Sequence, residues 1–303
     1  MNTNSNTYTV IYSIVLVVVV AAILAFAAVS LQPKQSENVK IETISQLLNA
    51  AAQADGAFEV EENVMAQYAG RVIDAYYVNG KGEKVKSMNL GKENLSAIEV
   101  ATTSDLKKQN DIIKQIEKGN TDLLANLELP VYILDINGTA VTVIPCYGAG
   151  LWGPIWGYLA VNVEGRHIYG AIFDHKSETP GLGAKIADEP WFHEQFQGKE
   201  VAEAEPYFAV VKGGAKGAIN AVDAISGATI TSQALGTTIN TWVGYYQPYF
   251  AKMSVPAEKC CNECTSDCGS ENCTECNDCS HDCEGCTHDC AACKEHEVNS
   301  EEE

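Results

Sequence analysis

Asp223-Ala224-Ile225-Ser226-Gly227-Ala228-Thr229-Ile230-Thr231-Ser232 is a small, hydroxyl-rich run with a single charge. An apolar pattern at helical spacing follows it: Leu235, Ile239, Trp242, Val243 and Tyr246. The hydroxyls of Thr229, Thr231 and Ser232 therefore fall where a helix should begin. The first backbone N–H groups of a helix lack intrahelical partners, and the helix dipole favours negative charge there. Ser226, Gly227 and Ala228 let backbone come close to a ligand. Two uses fit: capping of the helix, or a pocket for a phosphate group.

Two glycine-rich loops could border such a pocket. Gly148–Tyr158 carries Trp152 and Trp156, whose indole faces suit a flat aromatic ring; as a plain turn it would need no ligand. In Glu178-Thr179-Pro180-Gly181-Leu182-Gly183-Ala184-Lys185, Pro180 and Gly181 specify a tight turn and Gly183 permits close approach. His167 and His193 read as surface residues. His175 lies near the second loop, but no nucleophile–base constellation or carboxylate pair accompanies it. Cys146 stands alone, as a packing residue.

The other 11 of the 12 cysteines lie between Cys260 and Cys293. Only acids, amides, small residues, lysine and histidine surround them, so order there must come from metals or disulfides. Cys273, Cys276, Cys279 and Cys283 have ferredoxin-like spacing, with Glu284 in place of the usual proline. A soft metal, disulfides, an iron–sulfur cluster and an unstructured tail are the alternatives. His281, His288 and His296 are further ligand candidates.

The run Asp223-x-x-Ser226-Gly227-Ala228-Thr229-x-Thr231 resembles the flavin-attachment motif of the FMN-binding domain in the C subunit of the Na⁺-translocating NADH:quinone oxidoreductase. It is similar also to that of the G subunit of the Rnf complex. The E-T-P-G-L-G loop and the Gly/Trp loop accompany the motif in the family's order, and the resemblance runs from about Tyr8 to Phe250. It implies one FMN held covalently by a phosphodiester to Thr231, attached by a separate flavin transferase. Thr231 is then expected to need no activating neighbour, and its surroundings in the sequence supply no base. It further implies that Trp152, Thr179 and Leu182 lie near the isoalloxazine, that Gly181 and Gly183 shape the backbone, and that Glu178 and Lys185 hydrogen-bond to the flavin. The function implied is electron transfer beside the other membrane components of a respiratory complex. An Rnf component, or an anchored protein displaying a metal-binding tail, are the alternative readings.

The elements that must position these loops follow. Val10–Leu31 is 22 residues without a charge, about 33 Å as a helix and enough to span a bilayer. Met1–Tyr8 has no Lys or Arg, which argues for a retained anchor rather than a signal peptide cleaved after Ala25-Phe26-Ala27. The two following lysines, Lys34 and Lys40, would place the body inside by the positive-inside rule. The resemblance implies instead a body on the periplasmic side of the bacterial inner membrane. Gln32–Lys40 reads as a polar linker. An amphipathic helix follows with Ile41, Ile44, Leu47, Leu48 and Ala51. Val72–Val78 reads as a strand, and Ser104 as the cap of a helix ending at Gly119. Hairpins are expected around Asn137-Gly138-Thr139 and Glu164-Gly165, and further strands at 208–211 and 221–225. Asp188 is expected to cap a short helical segment from Glu189 to Gln197.

The fold class expected is α+β, an antiparallel sheet with helices packed against one side, after one N-terminal transmembrane helix. The divisions are a short tail (1–9), the membrane helix (10–31), an FMN-binding domain (41–252) and a Cys-rich acidic tail (256–303). Net charge is −20, with −12 of it from residue 256 onward, which argues against nucleic acid as a partner. With no G-x-G-x-x-G opening a helix and no P-loop, a Rossmann-type NADH site is unsupported.

Overall fold

A computed structural model of the chain describes residues 6–54 and 58–253. Seven strands form one antiparallel sheet: β1 (Val72–Val78), β2 (Lys84–Ser87), β3 (Leu129–Ile136), β4 (Thr139–Ala149), β5 (Pro154–Val161), β6 (His167–His175) and β7 (Lys199–Glu200). Their order is β2-β1-β3-β4-β5-β6-β7. The β3–β4 hairpin lies where expected, but its turn is two residues, since Thr139 already pairs with Ile136. Asn137 at φ 54° and Gly138 at φ 88° supply the two left-handed residues that match the twist of the strands. A separate parallel pair, β8 (Ala209–Val211) and β9 (Ala221–Asp223), lies beyond the sheet in sequence.

The α+β class is as expected, but helices cover both faces of the sheet. On one face, α3 (Thr103–Glu117) and the 25-residue α6 (Thr229–Met253) share a core with Val131, Ile144, Cys146 and Leu159. On the other, the end of α1 (Asn6–Ala51) and α2 (Val64–Arg71) pack on Tyr132, Val143, Tyr158 and Ala160. Neighbouring residues such as Val131 and Tyr132, or Leu159 and Tyr158, enter opposite cores because strand side chains alternate. Two large residues of α6 reach across the layers to strand carbonyls. Trp242 Nε1–H donates to Tyr147 O at 2.7 Å, and Tyr246 O–H to Pro130 O at 2.7 Å.

Two local readings are corrected. Residues 32–40 continue α1 through Pro33 rather than forming a linker. Gln, Lys and Glu propagate a helix well, and one proline between two strong helical segments does not end it. Thr102, not Ser104, starts α3 in a capping box with Asp105, whose carboxylate accepts from Thr102 N (3.1 Å) and Thr102 Oγ1 (2.8 Å). The segment of α1 from Tyr8 is long and apolar enough to cross a membrane, and its apolar part makes no core contact in the domain. Its last turns do the reverse: Ile44, Leu47, Leu48 and Ala51 are fully buried. Two short helices, α4 (Lys185–Asp188) and α5 (Pro190–Glu194), follow β6. Asp188 ends the first of them, and Glu189 holds the cap position of the second.

Candidate functional site

A cleft of about 800 Å³ opens where four loops meet, and Thr231 lies on its wall. It is lined by Leu151 and Trp152 after β4, by Glu178, Thr179, Leu182 and Gly183 after β6, and by Lys212 and Gly213 after β8. Asp223 to Ala224 and Ser226 to Thr231, at the start of α6, complete it. The run from Asp223 to Thr231 and the two loops are thus brought together. Gly181 and Lys185 are not on the lining. Gly181 takes φ +74° at the loop's turn, and Lys185 Nζ stands 3.6 Å from Glu189 Oε1, one turn further along.

The three hydroxyls at the helix start have separate roles. Ser232 is fully buried; its Oγ accepts from Ile225 N (3.1 Å) and donates to Ala228 O (2.9 Å). It ties the preceding turn to the first turn of the helix, without capping the helix's own free amides. Thr229 is half-buried on the cleft. Thr231 is only 1% exposed, and its Oγ1–H donates to Glu178 Oε2 at 2.8 Å. The expectation that no base stands near Thr231 is therefore wrong. The carboxylate comes from 53 residues away, through the register of the β6 loop against α6.

Glu178 is itself 3% exposed and fully engaged: Oε1 accepts from Trp152 N at 2.8 Å, and its N–H donates to His175 Nδ1 at 3.2 Å. Ser177 Oγ adds a bond to Trp152 O at 3.1 Å. So one carboxylate joins the first loop, the second loop and Thr231. Gly183 makes this approach possible: a Cβ there would lie 2.5 Å from Glu178 Oε2 and 2.8 Å from Thr231 Oγ1. Trp152, by contrast, is 69% exposed and Leu182 is 45% exposed. They form an apolar rim with Leu151 and Ile230.

Asp223 works as a brace. Its Oδ1 accepts from Ala215 N at 2.9 Å, and its N–H donates to Gln195 Oε1 at 2.9 Å. That fixes the turn carrying Lys212, a cation on the cleft that the sequence reading missed. The Lys212-Gly213-Gly214 run was the available signal: a cation beside backbone free to bend. His193 is buried, not on the surface. Its Nε2–H donates to Ile186 O at 2.6 Å, and burial holds its pKa below the usual 6.5. Cys146 is buried as expected, with its thiol pushed up to about 12 by desolvation. Cys273, Cys276, Cys279 and Cys283 lie outside the described residues. Among the described residues, no group of three or more His, Cys, Asp or Glu is placed to hold a metal.

The cleft suits a phosphorylated flat ring: a volume in the range of small-ligand pockets, an aromatic rim, a cation, and a hydroxyl in the first turn of a 25-residue helix. The FMN-binding domain family matches residues 150–244, which span these loops. The C subunit of the Na(+)-translocating NADH-quinone reductase of Vibrio parahaemolyticus is 30% identical over 245 residues, covering 78% of this chain and 90% of that protein. The chain belongs to the family of that C subunit. Its Haemophilus ducreyi relative is 29% identical, over 84% of this chain and 95% of its own. The fold agrees with the crystal structure of the C subunit from Parabacteroides distasonis (TM-score 0.55, 28% identity, covering 73% of this chain and 96% of that one). It agrees also with NqrC of Shewanella oneidensis (TM-score 0.51, 25% identity, covering 71% and 97%).

Proposed function

We propose that this member of the C-subunit family carries one FMN joined by a phosphodiester to Thr231. It passes electrons within a membrane-bound, Na⁺-translocating NADH:quinone oxidoreductase. The observation that carries this reading is the convergence of both companion loops on Thr231 in the first turn of α6. Thr231 would anchor the phosphate, with Lys212 and the first amides of α6 offsetting its charge. Trp152, Thr179 and Leu182 would border the ring. The flavin supplies the redox chemistry, and the protein supplies placement and surroundings. In this reading α1 crosses the bacterial inner membrane once and the domain lies on the periplasmic side. The partners are the other membrane components of the complex and, during maturation, a flavin transferase. NADH and quinone are bound elsewhere in the complex. Membership of the C-subunit family disfavours the Rnf alternative, and the displayed metal-binding tail falls on residues outside those described.

The test is a denaturing gel of the full chain, made together with a flavin transferase and viewed under ultraviolet light. The band should fluoresce, and Thr231→Ala should leave it dark. A dark wild-type band would overturn covalent attachment.

A further inference from the structure

Gln46 lies on α1, the helix that continues into the long apolar stretch. Ile44, Leu47 and Leu48 beside it are fully buried, yet Gln46 is an amide, half-buried at the edge of that face. Both ends of the amide are used. Its Nε2–H donates to Asp174 Oδ2 at 2.8 Å, and its Oε1 accepts from Trp156 Nε1–H at 3.3 Å. These partners fix its orientation, because a carboxylate only accepts and an indole N–H only donates. Trp156 and Asp174 face each other across β5 and β6. They stand at the roots of the two cleft loops: β5 begins at Pro154, just before Trp156, and β6 ends at His175, just after Asp174.

Hydrogen bonds carry this contact on to the cleft. Asp174 Oδ1 accepts from His175 N at 2.7 Å, His175 Nδ1 accepts from Glu178 N at 3.2 Å, and Glu178 Oε1 accepts from Trp152 N at 2.8 Å. The chain from Trp152 leads back to Trp156 and closes the circuit. One side chain of α1 thus straps the roots of both loops. Residues 32–40 are helical, so the helix runs unbroken from the apolar stretch to Gln46. We propose that Gln46 is a positioning residue for the cleft, through which a displacement of α1 against the sheet reaches Trp152 and Glu178. Its bearing on the flavin rests on the reading above. Trp152 borders the ring in that reading, so a shift of α1 alters the flavin's surroundings and with them its potential. Helix α1 is then a lever as well as an anchor. Neighbouring membrane components that press on it tune the flavin without touching the cleft.

The experiment uses the full chain in detergent, made together with a flavin transferase. Hydrogen exchange is followed at the Trp152 and Glu178 amides and, as a control, along β3. The midpoint potential and visible circular dichroism of the flavin are recorded beside it. Gln46→Ala removes both bonds; loop exchange should quicken about tenfold, with β3 unchanged and the flavin's potential and spectrum shifted. Gln46→Glu sets two carboxylates against each other and should do the same. Adding Asp174→Asn to Gln46→Glu restores a donor opposite an acceptor, and all three readouts should return toward wild type. A double variant no better than Gln46→Glu overturns the inference. So does exchange that quickens equally along β3, since that marks a loss of stability alone. Should Gln46→Ala not fold, Trp156→Phe removes the indole N–H, and unchanged exchange at Trp152 then overturns the inference. Loop exchange that responds while the flavin's potential and spectrum stay fixed overturns the lever and leaves the flavin reading intact. A wild type without attached flavin overturns the flavin reading, and the exchange measurements still decide whether Gln46 holds the loops.

Discussion

A hydroxyl on the wall of a cleft, nearly closed off by a carboxylate and a glycine, is sensitive to one added carbon. Gly183→Ala would put a Cβ 2.5 Å from Glu178 Oε2 and 2.8 Å from Thr231 Oγ1, closer than packed atoms tolerate. Flavin incorporation should fall at least tenfold while the far-ultraviolet spectrum stays that of the wild type; incorporation equal to wild type would show that the loop relaxes freely. Thr231 and the loop residues were legible in the sequence because their types and order are unusual. The Glu178–Thr231 contact was not, because it depends on which strand end meets which helix end across 53 positions. Lys212 was missed for the same reason: its relevance comes from Asp223 holding its turn.

Helix α6 does two jobs, and its buried side pins the end that bears Thr231. Trp242 is fully buried, at the centre of the face that packs on β4. Trp242→Ala should cost roughly 3–5 kcal/mol of stability, read by denaturant unfolding of the domain; a loss below about 1 kcal/mol would contradict this packing. The apolar periodicity made α6 readable in advance. The coverage of both sheet faces was also written in the chain, in the near-continuous apolar run from Leu159 to Val161 and in Val131 to Leu134. Such runs belong to strands buried on both sides, but the hairpin turns drew attention to one face. Thr102 and Ser104 are both good caps; the reach of Asp105 to Thr102 decides between them.

For the whole domain, buried and partly buried titratable groups set the range of pH over which it stays folded. His193 is held neutral, its pKa below 6.5. Its contribution is present above that value and is lost as the pH falls through the lower folded pKa. Cys146, raised from 9.0 to about 12, and Tyr77, raised from 10.0 to about 12, act on the other side. Their contributions are complete below the unfolded pKa values and are lost as the pH climbs toward about 12. The thermal midpoint should thus fall on both sides of a plateau between about pH 7 and 9. His193→Asn, if it folds, should flatten the acidic limb. An acidic limb unchanged by that substitution would assign it to carboxylates instead. Truncation gives a second check. A chain starting at Lys34 should fold and remain in solution. One starting at Ala52 should not fold, because Ile44, Leu47 and Leu48 belong to the core.

The unbroken α1 acts as a mast. Because residues 32–40 are helical, each residue inserted there raises the domain by about 1.5 Å and swivels it by about 100°. Seven inserted residues complete nearly two turns: the cleft would stand about 10 Å higher, facing almost the same way. Two would turn it by about 200° with little change in height. Electron transfer to a fixed neighbour should therefore depend on insertion length with a helical rhythm, whereas a slack tether would show a smooth decline.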